Sequence, residues 1–220
     1  MVLRSRQEAG LAVLILACLA VPPTGALADL TNESFELHNA AKGHLRGWSF
    51  TDGSVNGVKT FTDGTTNWGP PDGNWFAVLT PTTTGNVTLS QQFTVQSLDD
   101  TLTFDYFWDK GTRATGSQYA VSGEGFVLQN GTRVGGYLFQ FRNGPAYTDT
   151  SWMSFSETVG TLGLTPGQYT LRFRITDDLN TTQSHLGIDD VHVVAVPVPA
   201  AVLLGLLGLS AAGIGLRKSA

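Results

Sequence analysis

The chain has 220 residues, with 13 Lys and Arg against 18 Asp and Glu, 26 Gly and a single Cys. An acidic balance argues against a nucleic-acid binder, which needs a cationic face, and one Cys excludes a disulfide framework or a thiolate metal site. Setting both ends aside sharpens the imbalance: without Arg4, Arg6, Arg217 and Lys218 the 13 bases become 9, without Glu8 the 18 acids become 17, and the net is about −8.

Residues 1–28 have the layout of a secretory signal peptide. Arg4 and Arg6 form the cationic start, Leu11 to Val21 the apolar core, and Ala26-Leu27-Ala28 a small-x-small cleavage site, so that Asp29 begins the mature chain. An uncleaved anchor is one alternative. Lipid attachment at Cys18 is another, for which Leu16 is a poor neighbour.

Residues 29–195 are long enough for one domain with its own core. Two-residue alternation dominates over any helical period. Val87, Leu89, Gln91, Phe93 and Val95 share one face, as do Leu102, Phe104, Tyr106 and Trp108. Tyr169, Leu171, Phe173 and Ile175 alternate with Thr170, Arg172, Arg174 and Thr176, the pattern of a strand with one buried and one wet face. Roughly ten short strands follow, near 33–38, 46–51, 57–61, 75–80, 86–95, 101–109, 117–129, 134–142, 152–159, 168–177 and 186–195, the spacing of an all-β antiparallel sandwich. Asn130-Gly131 predicts a tight hairpin. Asn67 to Gly73 reads as an exposed loop. Asn-x-Ser/Thr triplets begin at Asn32, Asn86, Asn130 and Asn180.

Trp48, Trp75, Trp108 and Trp152 lie in or beside alternating apolar segments and read as core. Trp68 lies between Asn67 and Gly69 in a Pro/Gly-rich stretch, which makes it the candidate for an exposed ring on which a sugar could stack; Tyr119 and Tyr147 are weaker candidates. Catalysis finds little support. Asp105 and Asp109 sit four apart on one strand, about 13 Å at the usual rise, beyond the spacing of glycosidase carboxylate pairs. His38, His44, His185 and His192 lack the H-E-x-x-H spacing, and no G-x-S-x-G occurs.

The tail, 196–220, carries Val196, Pro197, Val198, Pro199 and Ala200, then an uncharged run to Leu216, then Arg217 and Lys218. Seventeen helical residues span ~26 Å, enough to cross a thin hydrocarbon layer, and the flanking cations favour leaving that end in the cytoplasm. This tail resembles the PEP-CTERM sorting signal in its VPxPA variant. The resemblance implies recognition by an exosortase, cleavage near the motif, and release or attachment at the cell surface. A plain anchor and a buried terminal helix are the alternatives.

The domain opens with Asn32-Glu33-Ser34-Phe35-Glu36 and Gly47-Trp48, contains Pro71-Asp72-Gly73-Asn74-Trp75-Phe76, and closes with Leu186-Gly187-Ile188-Asp189-Asp190-Val191. It is similar in these motifs to the jelly-roll sandwiches of carbohydrate-binding modules. That resemblance implies a structural calcium (Ca2+) held by Glu36 and Asp189, with Asp190 as substitute if the register slips. Carboxylates of this kind suit a hard cation; equally, they can guard a strand edge. The sequence therefore predicts an exported surface or matrix protein, structural or adhesive in the extracellular polysaccharide layer. The alternatives are a carbohydrate-binding module with a defined glycan and, less favoured, a glycosidase.

Overall fold

The computed structural model describes residues 30–37, 44–51, 54–81, 85–111, 122–142, 148–177 and 184–195. The leader 1–28, the sorting motif with Arg217 and Lys218, Tyr119 and Tyr147 lie outside the described residues. Among the described residues no helix is long and apolar enough to cross a membrane.

The strands are β1 (Ser49–Thr51), β2 (Ser54–Val58), β3 (Phe61–Thr62), β4 (Asn67–Trp68), β5 (Phe76–Thr80), β6 (Gly85–Val95), β7 (Thr101–Asp109), β8 (Ser122–Gln129), β9 (Thr132–Arg142), β10 (Met153–Thr158), β11 (Gly167–Asp177) and β12 (His185–Val194). They form two five-stranded sheets, in the orders β1-β6-β11-β8-β9 and β10-β7-β12-β5-β2, and a small β3-β4 hairpin. All pairs are antiparallel. Most connections cross from one sheet to the other, which is the interleaving of a jelly roll.

The alternation seen in the sequence faces the sheets together. Leu89, Phe93, Leu171 and Phe173 of the first sheet meet Leu79, Leu102, Phe104 and Ile188 of the second in one buried core. Phe104 touches Phe173 edge-on, with centroids 5.1 Å apart, and Trp108 stacks on Phe141 at 5.5 Å. Burying side chains of this size is the main stabilising term. Asn130 and Gly131 take φ of 51° and 80° between β8 and β9, the left-handed pair that a two-residue hairpin requires.

Two features depart from the simple pattern. The segment expected as a strand at 33–38 is a turn across its described part, with Asn32 and Phe35 at positive φ. Asn32 holds it shut: its Nδ2 donates to the carbonyls of His44 (2.7 Å) and Arg46 (3.1 Å), and its Oδ1 accepts from the Leu37 amide (2.6 Å). In β12 the pairing with β7 shifts between Asp189 and His192, and Asp190 takes φ of 50°. This bulge absorbs one residue, so Ile188 and Val191 both face the core although they are three apart.

A second, smaller apolar cluster lies outside the second sheet. Trp68, Phe76, Val78 and Phe107 are buried there, with Val58, Phe61 and Trp152 packed against them. Gly187 of β12 leaves room for the Phe107 ring; a Cβ at that position would lie well inside the ring's van der Waals radius. Gly187→Ala should therefore lower stability by about 1–3 kcal/mol, checked by denaturant unfolding. A melt indistinguishable from wild type would contradict this packing.

Candidate functional site

The residues singled out in the sequence distribute over three places. Trp68 is the clearest correction. It is 3% exposed, stacked on Phe107 with centroids 4.6 Å apart, and its Nε1 donates to the Thr150 carbonyl at 3.0 Å. The Pro/Gly stretch around it does not hold it out in water. Pairing of Asn67-Trp68 with Phe61-Thr62 folds the ring down over the second sheet. Trp48 and Trp108 are fully buried, and Trp75 and Trp152 are half-buried against the two clusters, as expected of core aromatics.

Glu36 and Asp189 both meet the segment 72–75. Glu36 Oε1 accepts from the amides of Asn74 (2.6 Å) and Trp75 (2.8 Å), and the Asp72 amide lies 3.5 Å from Asp189 Oδ2. Gly73, at φ 63°, passes so close to Glu36 that a Cβ would stand 2.5 Å from Oε1. Ser34 Oγ donates to Asp72 at 3.0 Å. Asp189 is completely buried, and its Oδ1 has no hydrogen-bond partner. Burial pushes its carboxyl up to about 8, with the Asp190 and Asp72 charges adding to the rise and the amides of Asp190 and Asp72 opposing it. A buried, unpartnered carboxylate oxygen beside a second carboxylate is the donor chemistry of a hard cation.

Asp190 is directed elsewhere. Its Oδ1 bonds His192 Nε2, and His192 Nδ1 lies 2.7 Å from Glu33 Oε2, so the imidazole ties the opening turn to β12. The Val191 amide donates to the Glu33 carbonyl at 3.1 Å on the same seam. Burial pulls the His192 imidazole down, but the carboxylates of Asp190 and Glu33 outweigh it and leave its pKa raised.

A third group brings Asp63, Asp109 and Asp149 within 4.8 Å of one another. Their oxygens already have partners. Asp63 takes the amides of Thr65 (2.8 Å) and Thr66 (2.6 Å), which hold its carboxyl below the usual range. Asp109 takes His185 Nδ1 (2.6 Å) and the Gly111 amide (2.8 Å), and Asp149 takes the Lys110 amide (2.9 Å). This cluster ties down loops at one end of β7. It also accounts for Asp109, which is buried and bonded to His185 rather than free to act with Asp105.

Sequence reasoning did not assemble the outer face of the first sheet. Cross-strand register sets it out in rows. Ser90, Arg172, Phe126 and Tyr137 lie opposite one another across β6, β11, β8 and β9; Thr88, Arg174, Glu124 and Gln140 form the next row. Tyr137 is 36% exposed, meets Phe126 edge-on, and carries the Arg133 guanidinium 4.1 Å from its ring centroid. Arg174 lies 5.2 Å over Phe126 and bonds Glu124, whose other oxygen accepts from Gln140 Nε2 at 2.9 Å. Toward the β1 edge the face opens into a polar depression of about 400 Å³ lined by Ser49, Ser90, Gln92 and Thr170 among others. The outward positions of Arg172 and Arg174 were visible in the alternation of β11. Tyr137 was not, because the register of β9 shifts against β8 near Phe126.

No protein-family model matches the sequence, and no curated protein matches it. Solved structures align with this chain at TM-scores below 0.5. TmCBM61 in complex with β-1,4-galactotriose aligns over 76% of this chain and 97% of its own, at 15% identity and TM-score 0.48. CBM28, a carbohydrate-binding module specific for non-crystalline cellulose, aligns over 75% of this chain and 94% of its own, at 11% identity and TM-score 0.43. An arabinose-bound MgGH51 α-L-arabinofuranosidase aligns over 78% of this chain but 27% of its own, at 14% identity and TM-score 0.43.

Because Trp68 is core, Trp68→Ala should cost about 3–5 kcal/mol of stability, seen as a lower denaturant midpoint. An unchanged midpoint would mean that the ring is exposed after all.

Proposed function

We propose that this chain is an exported, non-catalytic carbohydrate-binding sandwich that holds polysaccharide on the outer face of the first sheet. One observation carries the reading: around a buried floor of Glu124, Phe126 and Leu128 that face keeps Gln92, Arg133 and Tyr137 exposed and Ser90, Thr170, Arg172 and Gln140 half-exposed, while Trp68 and its neighbours pack on the second sheet. It presents hydroxyls, amides and guanidiniums from Ser90, Gln92, Thr170, Gln140 and Arg172 around the half-open ring of Tyr137. Sugars are recognised by this combination, with hydroxyls taking hydrogen bonds and an apolar ring face stacking on an aromatic side chain. The carbohydrate-binding modules named above are reported to bind galactotriose and cellulose; which glycan this chain takes is a matter for its own side chains.

The sorting reading belongs to the same proposal. A leader at 1–28 and a tail with Val196-Pro197-Val198-Pro199-Ala200, an apolar run and Arg217-Lys218 fit export, a membrane-held intermediate and exosortase processing. The destination is the cell surface or the extracellular polysaccharide layer. Fractionation tests this: full-length chain with both ends intact and free in the cytosol would end the export reading.

Calcium completes it. Asp189 through its unpartnered Oδ1 and Glu36 are the residues that would hold the ion, and its charge would offset the burial of the Asp189 carboxylate. A ligand bound only by the folded state stabilises it, by about 2.7 kcal/mol at a hundredfold excess over Kd. Added calcium should raise the melting temperature, EDTA should lower it, and Asp189→Asn should abolish the difference. Identical wild-type melts in calcium and EDTA would remove the ion from the account.

For the glycan site, a glycan array with wild type and Tyr137→Ala is the direct measurement. Loss of the stacking ring should weaken binding about fivefold, with the fold retained. No glycan bound by the wild type would dispose of the proposal.

A further inference from the structure

The same face carries a charge that the rest of the domain does not. Between residues 29 and 195 acids outnumber bases by 17 to 9. On the outer face of the first sheet the register collects Arg133, Arg142, Arg172 and Arg174, and one carboxylate, Glu124. Arg142 lies opposite Ser122 in the row beyond Gln140, and Arg133 opposite Leu128 in the row beyond Tyr137. Glu124 is 4% exposed and engaged by both Arg174 and Gln140, so it neutralises Arg174 alone. Among the described residues no carboxylate pairs with Arg133, Arg142 or Arg172. The acids gather elsewhere: Asp105, Asp109 and Asp189 belong to the second sheet, with Asp63 and Asp149 beside Asp109.

Resting on the carbohydrate reading, we infer that this face selects acidic polysaccharide, with uronate carboxylates of the glycan pairing with Arg172, Arg133 and Arg142 around the Tyr137 ring. Arg172 is central. It stands between Ser90 and Phe126 in the row that ends at Tyr137, and its Nε is buried with no acceptor. Its inner end thus lies buried while the side chain as a whole remains half-exposed. The planar fork of a guanidinium matches a carboxylate with two parallel hydrogen bonds. Arg133 on Tyr137 adds a second cation and widens the flat surface on which a ring can lie. A neutral glycan offers these three guanidiniums no counter-charge. A uronate chain supplies one carboxylate per sugar and matches them.

The test is affinity electrophoresis and calorimetry of the full-length protein purified in mild detergent. The ligands are polygalacturonate, fully methyl-esterified polygalacturonate, neutral galactan and single-stranded DNA. Binding to polygalacturonate, at least tenfold weaker to the ester and to DNA, is expected. Arg172→Gln should lose tenfold or more on polygalacturonate, as should Arg133→Gln to a lesser degree, while Lys59→Gln, on a strand connection of the other sheet, should leave binding unchanged. Melting temperatures of the variants identify any that fail by misfolding, and Arg142→Gln at the sheet margin then serves in place of Arg172→Gln. Equal binding to the acid and its methyl ester, or to galactan, overturns the charge selection and leaves the carbohydrate reading standing. Equal binding to DNA overturns selection for a polysaccharide. Binding to none of the glycans defeats both.

Discussion

The pleat of β11 is the constraint on which the rest depends. Its odd positions, Tyr169, Leu171, Phe173 and Ile175, build the core, and its even positions, Thr170, Arg172, Arg174 and Thr176, build the outer face. A one-residue slip would send two arginines into the core and four large apolar side chains into water. The eleven-residue pairing with β6 and the seven-residue pairing with β8 lock that register from both sides. Stability and the candidate binding surface are therefore set by the same alternation, and neither can drift without the other.

The two sheets manage their outer faces differently. The second buries its own under Trp68, Phe61 and Trp152, so polar groups there must be satisfied within the protein. Asp109 finds His185 and a backbone amide. Asp189 finds amides for one oxygen only, and that shortfall is what makes it a candidate ligand rather than a structural carboxylate. The first sheet keeps Gln92, Arg133 and Tyr137 of its outer face exposed, and its buried acid there, Glu124, is satisfied by Arg174 and Gln140. The different covering of the two faces follows from one short hairpin, β3-β4, that lies across the second sheet.

Long strands were legible in the sequence because period-two alternation over eight or more residues has no other explanation, and β6, β7, β11 and β12 fall within a residue or two of the expected ranges. The Asn130-Gly131 turn was legible from backbone chemistry alone. The β3-β4 hairpin was not: two-residue strands carry no period, and a Trp flanked by Asn and Gly looks exposed until its partner Phe61 is known. The opening turn was misread as a strand because Asn32 and Phe35 adopt positive φ, which side-chain pattern does not register. The Ile188-Asp189-Asp190-Val191 bulge was not read, because only the structure shows that two residues three apart, Ile188 and Val191, both face the core. Glu36 and Asp189 were named together from motif resemblance alone; that both meet the segment 72–75 was not expected, because neither alternation nor the motif points there.

An acidic domain that prefers an acidic polymer looks contradictory until distance is considered. Stacked sheets lie about 10 Å apart, so charges standing out from the two opposite faces are separated by more than that. The Debye length is about 8 Å at physiological ionic strength. The second-sheet aspartates lie more than a sheet spacing from a chain on the first, whereas Arg172 and Arg133 act on it at contact distance. Net charge governs how the whole molecule behaves in solution; the sign of one sheet face governs what settles on it. Four of the nine bases, Arg133, Arg142, Arg172 and Arg174, stand on one sheet face with a single carboxylate, Glu124, so an acidic domain still offers a cationic surface. The β-sheet makes this simple, because alternate residues of a single strand belong to different sides.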